Sequence, residues 1–474
     1  MVLLGTVLAA AITGMPAGCT PSMPEITRLR AVSDGQGGAF VVWEGKSGGI
    51  SGGRVSGDGS VAWVQEGLAD TPARARILDL VSDDQGGILF TWFDLGRLAD
   101  SHPVLPVFAQ RVGASGEPLW GNGVQAGTAE GIALSNPELR STPQLAPDSQ
   151  GGAYLARTDS AGLHLQALDP QGRLSWEKVT EPRRLPSDGG VKMASDGSGG
   201  LIVLAREILR DAGTPEFDVR AQRFDVSGKP LWQEGGIQLY SDWPWIPQFE
   251  GDGRGGIFLV EAYMQQVFSG NYSGQNPNPH FVAAQWLSGQ GELGWPIPGV
   301  KTRETNAMLG SALPVVNGPQ AATILWTESP SGGPYTAHTL RAVGLGNTGN
   351  ITWKNDAVSS PRENRIVSEI KGCEARDGIF VTWRAGTWDW EKGGTIEAQM
   401  LNDDGTTELG DRTAVFPSAL KYQGGPCIVE DGAGGAIIVG IVGESSGRGD
   451  MVYGQRLNAS GTRLWREAGV RLDR

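Results

Sequence analysis

The residues able to do chemistry are few and widely spaced. Four histidines occur, His102, His164, His280 and His338, and no two stand at the three- or four-residue spacing that sets imidazoles on one metal ion. The three cysteines, Cys19, Cys373 and Cys427, include no CxxC pair, so a zinc ribbon or a dithiol redox motif has no support. Glycine-rich loops led by an aspartate return along the chain: Asp34 to Gly38, Asp84 to Gly87, Asp148 to Gly152, Asp252 to Gly256 and Asp431 to Gly435. A calcium loop of the EF-hand kind needs further oxygen ligands at alternate positions and a distal glutamate. These loops have neither, so they read as hairpin turns in which aspartate bonds its own backbone and glycine takes positive φ. No cofactor or metal is expected.

The remaining candidates are aromatic. Trp243, Trp245, Tyr263, Tyr272, Trp388 and Trp390 cluster in irregular stretches, with Asp94, Arg97, Arg384 and Asp389 in similar stretches as polar contacts. Tryptophan and tyrosine anchor protein interfaces and also stack on sugar rings. The plainer reading is that they cap a core.

The framework that must position these residues is a repeat. A glycine followed four residues later by tryptophan occurs at Gly59/Trp63, Gly116/Trp120, Gly172/Trp176, Gly228/Trp232, Gly291/Trp295, Gly349/Trp353 and Gly461/Trp465. An eighth copy, Gly405/Leu409, lacks the tryptophan. Successive glycines are 56 to 63 residues apart, and a fixed period marks a repeat architecture. In the fourth copy Val191–Asp196, Leu201–Ala205, Val219–Phe224 and a run from Leu231 toward Ile237 read as four strands joined by glycine turns. That unit is a propeller blade. The fold expected is all-β: a single eight-bladed β-propeller of four-stranded antiparallel blades, with seven blades as the alternative because repeats six and seven are irregular. The tryptophan is expected to wedge between adjacent blades. An indole buries roughly 150–250 Å², a gross transfer term of about 4–6 kcal/mol before entropy is counted.

A glutamine stands six residues before the turn glycine in six copies: Gln110, Gln166, Gln222, Gln285, Gln399 and Gln455. A buried amide needs partners, so side-chain to backbone bonds that fix register are expected, with a pore-lining ring as the alternative. Cys373 and Cys427 fall in corresponding early strands of the last two repeats, as two buried free thiols or as a disulfide between neighbouring blades.

Composition agrees. The chain has 474 residues with 72 Gly and 28 Pro, which favours short strands and tight turns. Its net charge of -13 repels phosphate backbones, so nucleic acid is not an expected partner.

At the N-terminus Val2 to Ile12 is an apolar run too short to span a bilayer but suited to the core of a secretory signal. Pro16-Ala17-Gly18-Cys19 follows and resembles the bacterial lipobox, with proline where leucine is usual. The organisation expected is a signal peptide over 1–18, a lipid-anchored tether over 19–24 with lipid on Cys19, and the propeller over 25–474. Membrane contact is expected only through that anchor, and the location is extracytoplasmic.

The glycine-to-tryptophan step, with Ala109, Ala221, Ala284 and Ala398 ahead of it, resembles the tryptophan-docking motif of the quinoprotein-type eight-bladed propellers. The aspartate of that motif is missing here. The resemblance implies blade packing rather than an activity, since that superfamily holds both PQQ dehydrogenases and non-enzymatic outer-membrane assembly lipoproteins. Bacterial surface proteins also carry repeats resembling Asp-Gly-x-Gly-Gly followed by Ala-Gln-Arg. The adjacent cysteines expected of a PQQ enzyme are absent, and so is a clean sialidase Ser-x-Asp-x-Gly-x-Thr-Trp box.

What recurs in every blade is scaffold, and what breaks the repeat is where function is expected. The connections between second and third strands vary most, and irregular loops on a rigid scaffold are where binding concentrates. The expectation is a non-catalytic platform whose loop-rich face binds a cell-envelope protein. The alternatives are a surface protein that binds glycans through the same aromatics and, further off, a divergent propeller glycosidase or quinoprotein-like enzyme. For the anchor, Cys19→Ser should move most of the protein from the membrane fraction to the soluble extracytoplasmic fraction. Unchanged membrane retention on fractionation would refute lipid attachment.

Overall fold

The computed structural model describes residues 28–45, 48–69, 75–95, 104–129, 144–159, 162–179, 190–210, 216–241, 247–263, 280–296, 299–318, 321–329, 338–359, 366–387, 393–410, 412–443 and 450–474. These form eight four-stranded antiparallel sheets, each from one continuous stretch of chain. In blade one, Leu29–Ser33 is innermost, followed outward by Ala39–Glu44, Ile50–Val55 and Val61–Ala69. The other inner strands are Ala75–Ser82, Gln144–Pro147, Val191–Ser195, Gln248–Gly251, Met308–Val316, Ile366–Ala375 and Tyr422–Glu430. Each lies against the inner strand of the next blade, and blade eight's lies against blade one's. The eight-bladed propeller expected from the repeat is the fold observed. Among the described residues no helix is long and apolar enough to cross a membrane.

The second strands are mostly apolar because both their faces are covered. Ala39–Glu44, Ala322–Ser329 and Ala436–Gly443 are buried at every position. The core is divided among the blade junctions. Phe40, Val42 and Ile50 of blade one pack on Ile77, Phe90 and Trp92 of blade two. Val41 and Trp43 of blade one pack on Val439, Val452 and Trp465 of blade eight, which closes the ring.

The repeated glycine and tryptophan are the two halves of one contact. Each tryptophan lies on the turn glycine of the following blade: Trp63 on Gly116, Trp120 on Gly172, Trp176 on Gly228, Trp232 on Gly291, Trp295 on Gly349, Trp353 on Gly405 and Trp465 on Gly59. A Cβ on Gly116 would stand 2.8 Å from the Trp63 ring, and its φ of 95° already disfavours a side chain. Indole nitrogens donate across the junction: Trp63 to Ala114 O, Trp120 to Pro170 O, Trp176 to Val226 O and Trp232 to Gly289 O, each at 3.0 Å. Trp465 closes the ring in the same way, donating to Gly57 O at 3.0 Å.

Five of the six glutamines set up this contact; Gln166 instead donates to Glu177, and Trp176 lies within the fourth strand Leu174–Val179. Gln110 Oε1 accepts the Trp120 backbone N–H at 3.0 Å, and its Nε2 donates to Gly121 O at 2.7 Å. Gln222, Gln285 and Gln455 hold Trp232, Trp295 and Trp465 alike, and Gln399 holds Leu409. They stand on third strands, so the pore-lining alternative is overturned. The bond also corrects a strand boundary. Trp232 lies in the turn before Ile237–Ser241, because the Gln222 side chain takes its N–H. In blades one and six Gly53 and Val343 occupy the glutamine's register, and there Trp63 and Trp353 lie within the fourth strands.

The arginine of Ala-Gln-Arg completes the junction. Arg111 bonds Asp83 of its own blade at 2.8 Å and donates to Pro170 O, the carbonyl that also receives Trp120. Arg456 joins Asp431 to Gly57 O in the same manner, and Arg223 joins Asp196 to Gly289 O. The turn aspartates accept two backbone N–H groups each, Asp34 from Gln36 and Gly38 for example, which bears out the turn reading. In blade two the accepting residue is Asp83; Asp84, expected to lead the turn, instead takes φ of 55°. Cys373 and Cys427 are free thiols, and no disulfide joins their blades.

Leu409 makes the seventh junction different. It touches Gly461 but brings no indole donor, and Met400 replaces the arginine. A groove of about 500 Å³ lined by Thr413, Gly461, Arg463, Trp465 and Glu467 opens there. Amide exchange should be fastest in blade seven among the inner strands. Leu409→Trp should raise unfolding stability by about 1–2 kcal/mol through added apolar burial. Slowest exchange in blade seven, or a Leu409→Trp midpoint below wild type on urea denaturation, would contradict this.

Candidate functional site

Turns between first and second strands and between third and fourth strands share one face, the turn face. The other connections share the opposite, loop-rich face. Trp243, Trp245, Tyr272, Trp388, Trp390, Arg97, Asp389, Cys19 and His102 lie outside the described residues. Asp94 ends the second strand of blade two and Tyr263 ends that of blade five, both at the loop-rich face. Arg384 of blade seven, expected as an open polar contact, is buried instead. It donates to Gln423 O of blade eight at 3.3 Å and to Gly393 O at 3.4 Å, which makes it part of the frame. These three fall on separate blades and are not brought together by the described residues.

The histidines are structural in their surroundings. His164 Nδ1 lies 3.0 Å from both Arg157 and Glu177 in blade three, and His280 Nδ1 lies 2.9 Å from Ala307 O. Burial lowers the pKa of His338. Among the described residues no three His, Cys, Asp or Glu side chains are grouped to hold a metal ion.

The central channel holds a constellation that sequence reasoning missed. One register position recurs on all eight inner strands: Arg30 opposite Val42, Asp79 opposite Thr91, Gln144 opposite Ala156, Lys192 opposite Leu204, Gln248 opposite Val260, Leu313 opposite Leu325, Lys371 opposite Thr382 and Cys427 opposite Val439. All eight are at least partly open to solvent, although they stand on the innermost strands. They therefore ring the lumen. The signal was present in the sequence, since Arg30, Asp79 and Lys192 each stand four residues before a turn aspartate.

Ring residues feel one another's charge. Burial pushes Asp79 up to about 6, opposed by the Leu145 N–H and by Arg30. Burial brings the Lys192 amine down to about 8, opposed by Glu261 and assisted by Lys371 three blades away. Nearer the turn face, burial pushes Glu250 up to about 7, with Glu374 adding to the effect. Three lumen carboxylates tie neighbouring blades together. Asp79 accepts Leu145 N–H at 3.1 Å, Glu250 accepts Val316 N–H at 3.0 Å, and Glu369 accepts Gly425 N–H at 2.8 Å. Burial also raises the thiols of Cys373 and Cys427, which disfavours thiolate chemistry.

No protein-family model matches this chain, and no curated protein matches its sequence. Solved structures do match in fold. The β-propeller domain of the Trilobed protease from Pyrococcus furiosus is 9% identical with a TM-score of 0.40, over 83% of this chain and 96% of that one. Prolyl oligopeptidase B from Galerina marginata is 12% identical with a TM-score of 0.44, over 82% of this chain but 50% of that one. TolB from Acinetobacter baumannii is 13% identical with a TM-score of 0.28, over 73% of this chain and 66% of that one. At these identities the likeness concerns fold alone.

A raised carboxylate pKa means that the folded state holds a proton the unfolded chain has lost. Its contribution to stability is greatest below the ordinary carboxylate pKa and is lost as pH rises through about 6 for Asp79. Asp79→Asn keeps an acceptor for Leu145 N–H and removes the titration. The urea midpoint of wild type should fall more between pH 4 and pH 7 than that of Asp79→Asn; equal slopes would refute the assignment.

Proposed function

We propose that this protein is a non-catalytic, extracytoplasmic binding propeller, lipid-anchored at Cys19, whose loop-rich face takes a partner protein of the cell envelope. The observation that carries this reading is the division of labour between the two faces. On the turn face the aspartate turns and the glycine–tryptophan junctions commit their polar groups to one another, as at Asp34, Asp83, Asp196 and Asp431. The loop-rich face receives the long connections, from Asp94 to Leu105 and from Tyr263 to His280, which no repeat rule constrains.

The anchor and the interface fit one orientation. The inner strand Leu29–Ser33 runs toward the turn face, so the chain enters the ring from the loop-rich face beside the channel mouth. Nine residue steps lead from Cys19 to Arg28. Fully extended they reach about 30 Å, which keeps the loop-rich face close to the membrane. The partner is thus membrane-associated or membrane-proximal.

The reading is tested by photo-crosslinking in native membranes, with the reactive side chain at Trp388 or, for comparison, at Ser227 on the turn face. A protein adduct from position 388 alone, reduced at least about tenfold by Trp243→Ala/Trp390→Ala, is expected. Equal adducts from both positions would move the interface off the loop-rich face. A saccharide adduct from position 388 would replace the protein partner with a glycan.

A further inference from the structure

We infer that the central channel contains an anion-binding site, formed by Arg30, Lys192 and Lys371, that accepts a small oxyanion of the carboxylate or phosphate class. The inference is independent of what binds the loop-rich face.

It rests first on register. Arg30, Lys192 and Lys371 occupy one level of the inner-strand ring, on blades one, four and seven. The single ionisable carboxylate at that level is Asp79, so the ring carries three positive groups against one negative, in a chain whose net charge is -13. Their strands are the innermost of a closed ring around one channel, and the charge of Lys371 acts on Lys192 and, with that of Arg30, on Cys427.

Its second support is how the partners are distributed. Asp79, Glu250 and Glu369 each accept a backbone N–H from the following blade. Their negative charge is engaged in joining blades. The cations have no comparable commitment. The Lys192 Nζ is shielded from solvent and has no hydrogen-bond partner. Arg30 uses one nitrogen on the carbonyl of Leu29, at 3.2 Å, and forms no ion pair with Asp79. A shielded ammonium without a hydrogen-bond partner destabilises a fold; Glu261 offsets this through its charge alone, and the Lys192 donors remain open to a ligand. Glu374 and Glu430 are exposed toward the turn-face end of the inner strands, and Glu369 stands toward the loop face. They flank the cationic level and bias it toward a compact anion that meets the three cations without reaching either end.

Isothermal titration and thermal unfolding of the full chain test this with inorganic phosphate and with citrate, at constant ionic strength set by sodium chloride. Wild type is expected to bind at least one of the two and to unfold at higher temperature in its presence. Response to phosphate alone or to citrate alone would identify the class of oxyanion. Lys192→Met should unfold at higher temperature than wild type without the anion and lose the anion-dependent rise. Lys371→Gln, at a solvent-exposed lumen position, should fold normally and lose the same rise, while Lys229→Gln on the turn face should keep it. Absence of any anion-dependent change in wild type, or its full retention in both Lys192→Met and Lys371→Gln, would overturn the inference.

Discussion

The propeller depends on one contact made again at successive junctions: an indole laid on a glycine that has no room for a side chain, with its N–H on a carbonyl of the next blade. Trp120 on Gly172 and Trp465 on Gly59 are instances. The contact joins apolar burial to a directional bond. Burial alone would let blades slide, while the hydrogen bond fixes where the indole stops. The glutamine one strand inward fixes the tryptophan backbone, and the arginine beside it adds a second donor to the same carbonyl. Three residue types from one short motif thus converge on one junction, two of them on a single carbonyl.

This economy explains why so much of the fold was legible in the sequence. Gly116 and Trp120 are visible as a spacing, and its seven full copies with the eighth glycine, Gly405, count the blades. Gln110 and Arg111 are visible as neighbours on the strand before the turn. Position within the blade was less legible. Trp232 and Trp353 obey the same spacing, yet one stands in a turn and the other in a strand. The difference turns on whether a glutamine on the adjacent strand takes the tryptophan N–H, as Gln222 does, while Gln166 bonds Glu177 instead and leaves Trp176 in a strand, and that choice is not apparent from local pattern. Asp84 was likewise preferred to Asp83 because both precede the same glycines.

The lumen was the least legible part. Arg30, Asp79, Lys192 and Lys371 come from four blades, and the one local cue, a place four residues before the turn aspartate for the first three, does not tell that they share a channel. Closure of the ring brings their inner strands around one channel. In sequence each looks like an ordinary charge on a half-exposed strand. Arg384 shows the opposite error. It looks like a charge near a loop, but the Gln423 carbonyl of the neighbouring blade draws it into the frame. Both cases have the same physical origin. A residue's role in a closed ring is decided by the blade beside it, at a sequence distance that short-range periodicity does not report.

The continuous derivation of every sheet bears on how the circle is held. Blade one is made only of N-terminal chain and blade eight only of C-terminal chain, and no strand crosses between them. The gap between the chain ends is spanned by the ordinary junction, Trp465 with Gly57 and Gly59, reinforced by Arg456. Among the described residues no strand from one chain end joins a sheet of the other. The junction between blades eight and one is among the better-fastened places on the circle. A chain cut at another junction and rejoined through its present ends would keep the same set of side-chain contacts. Growth by whole blades is open to such a ring, because each added unit brings one indole and one glycine and so leaves the matching of halves at the other junctions unchanged.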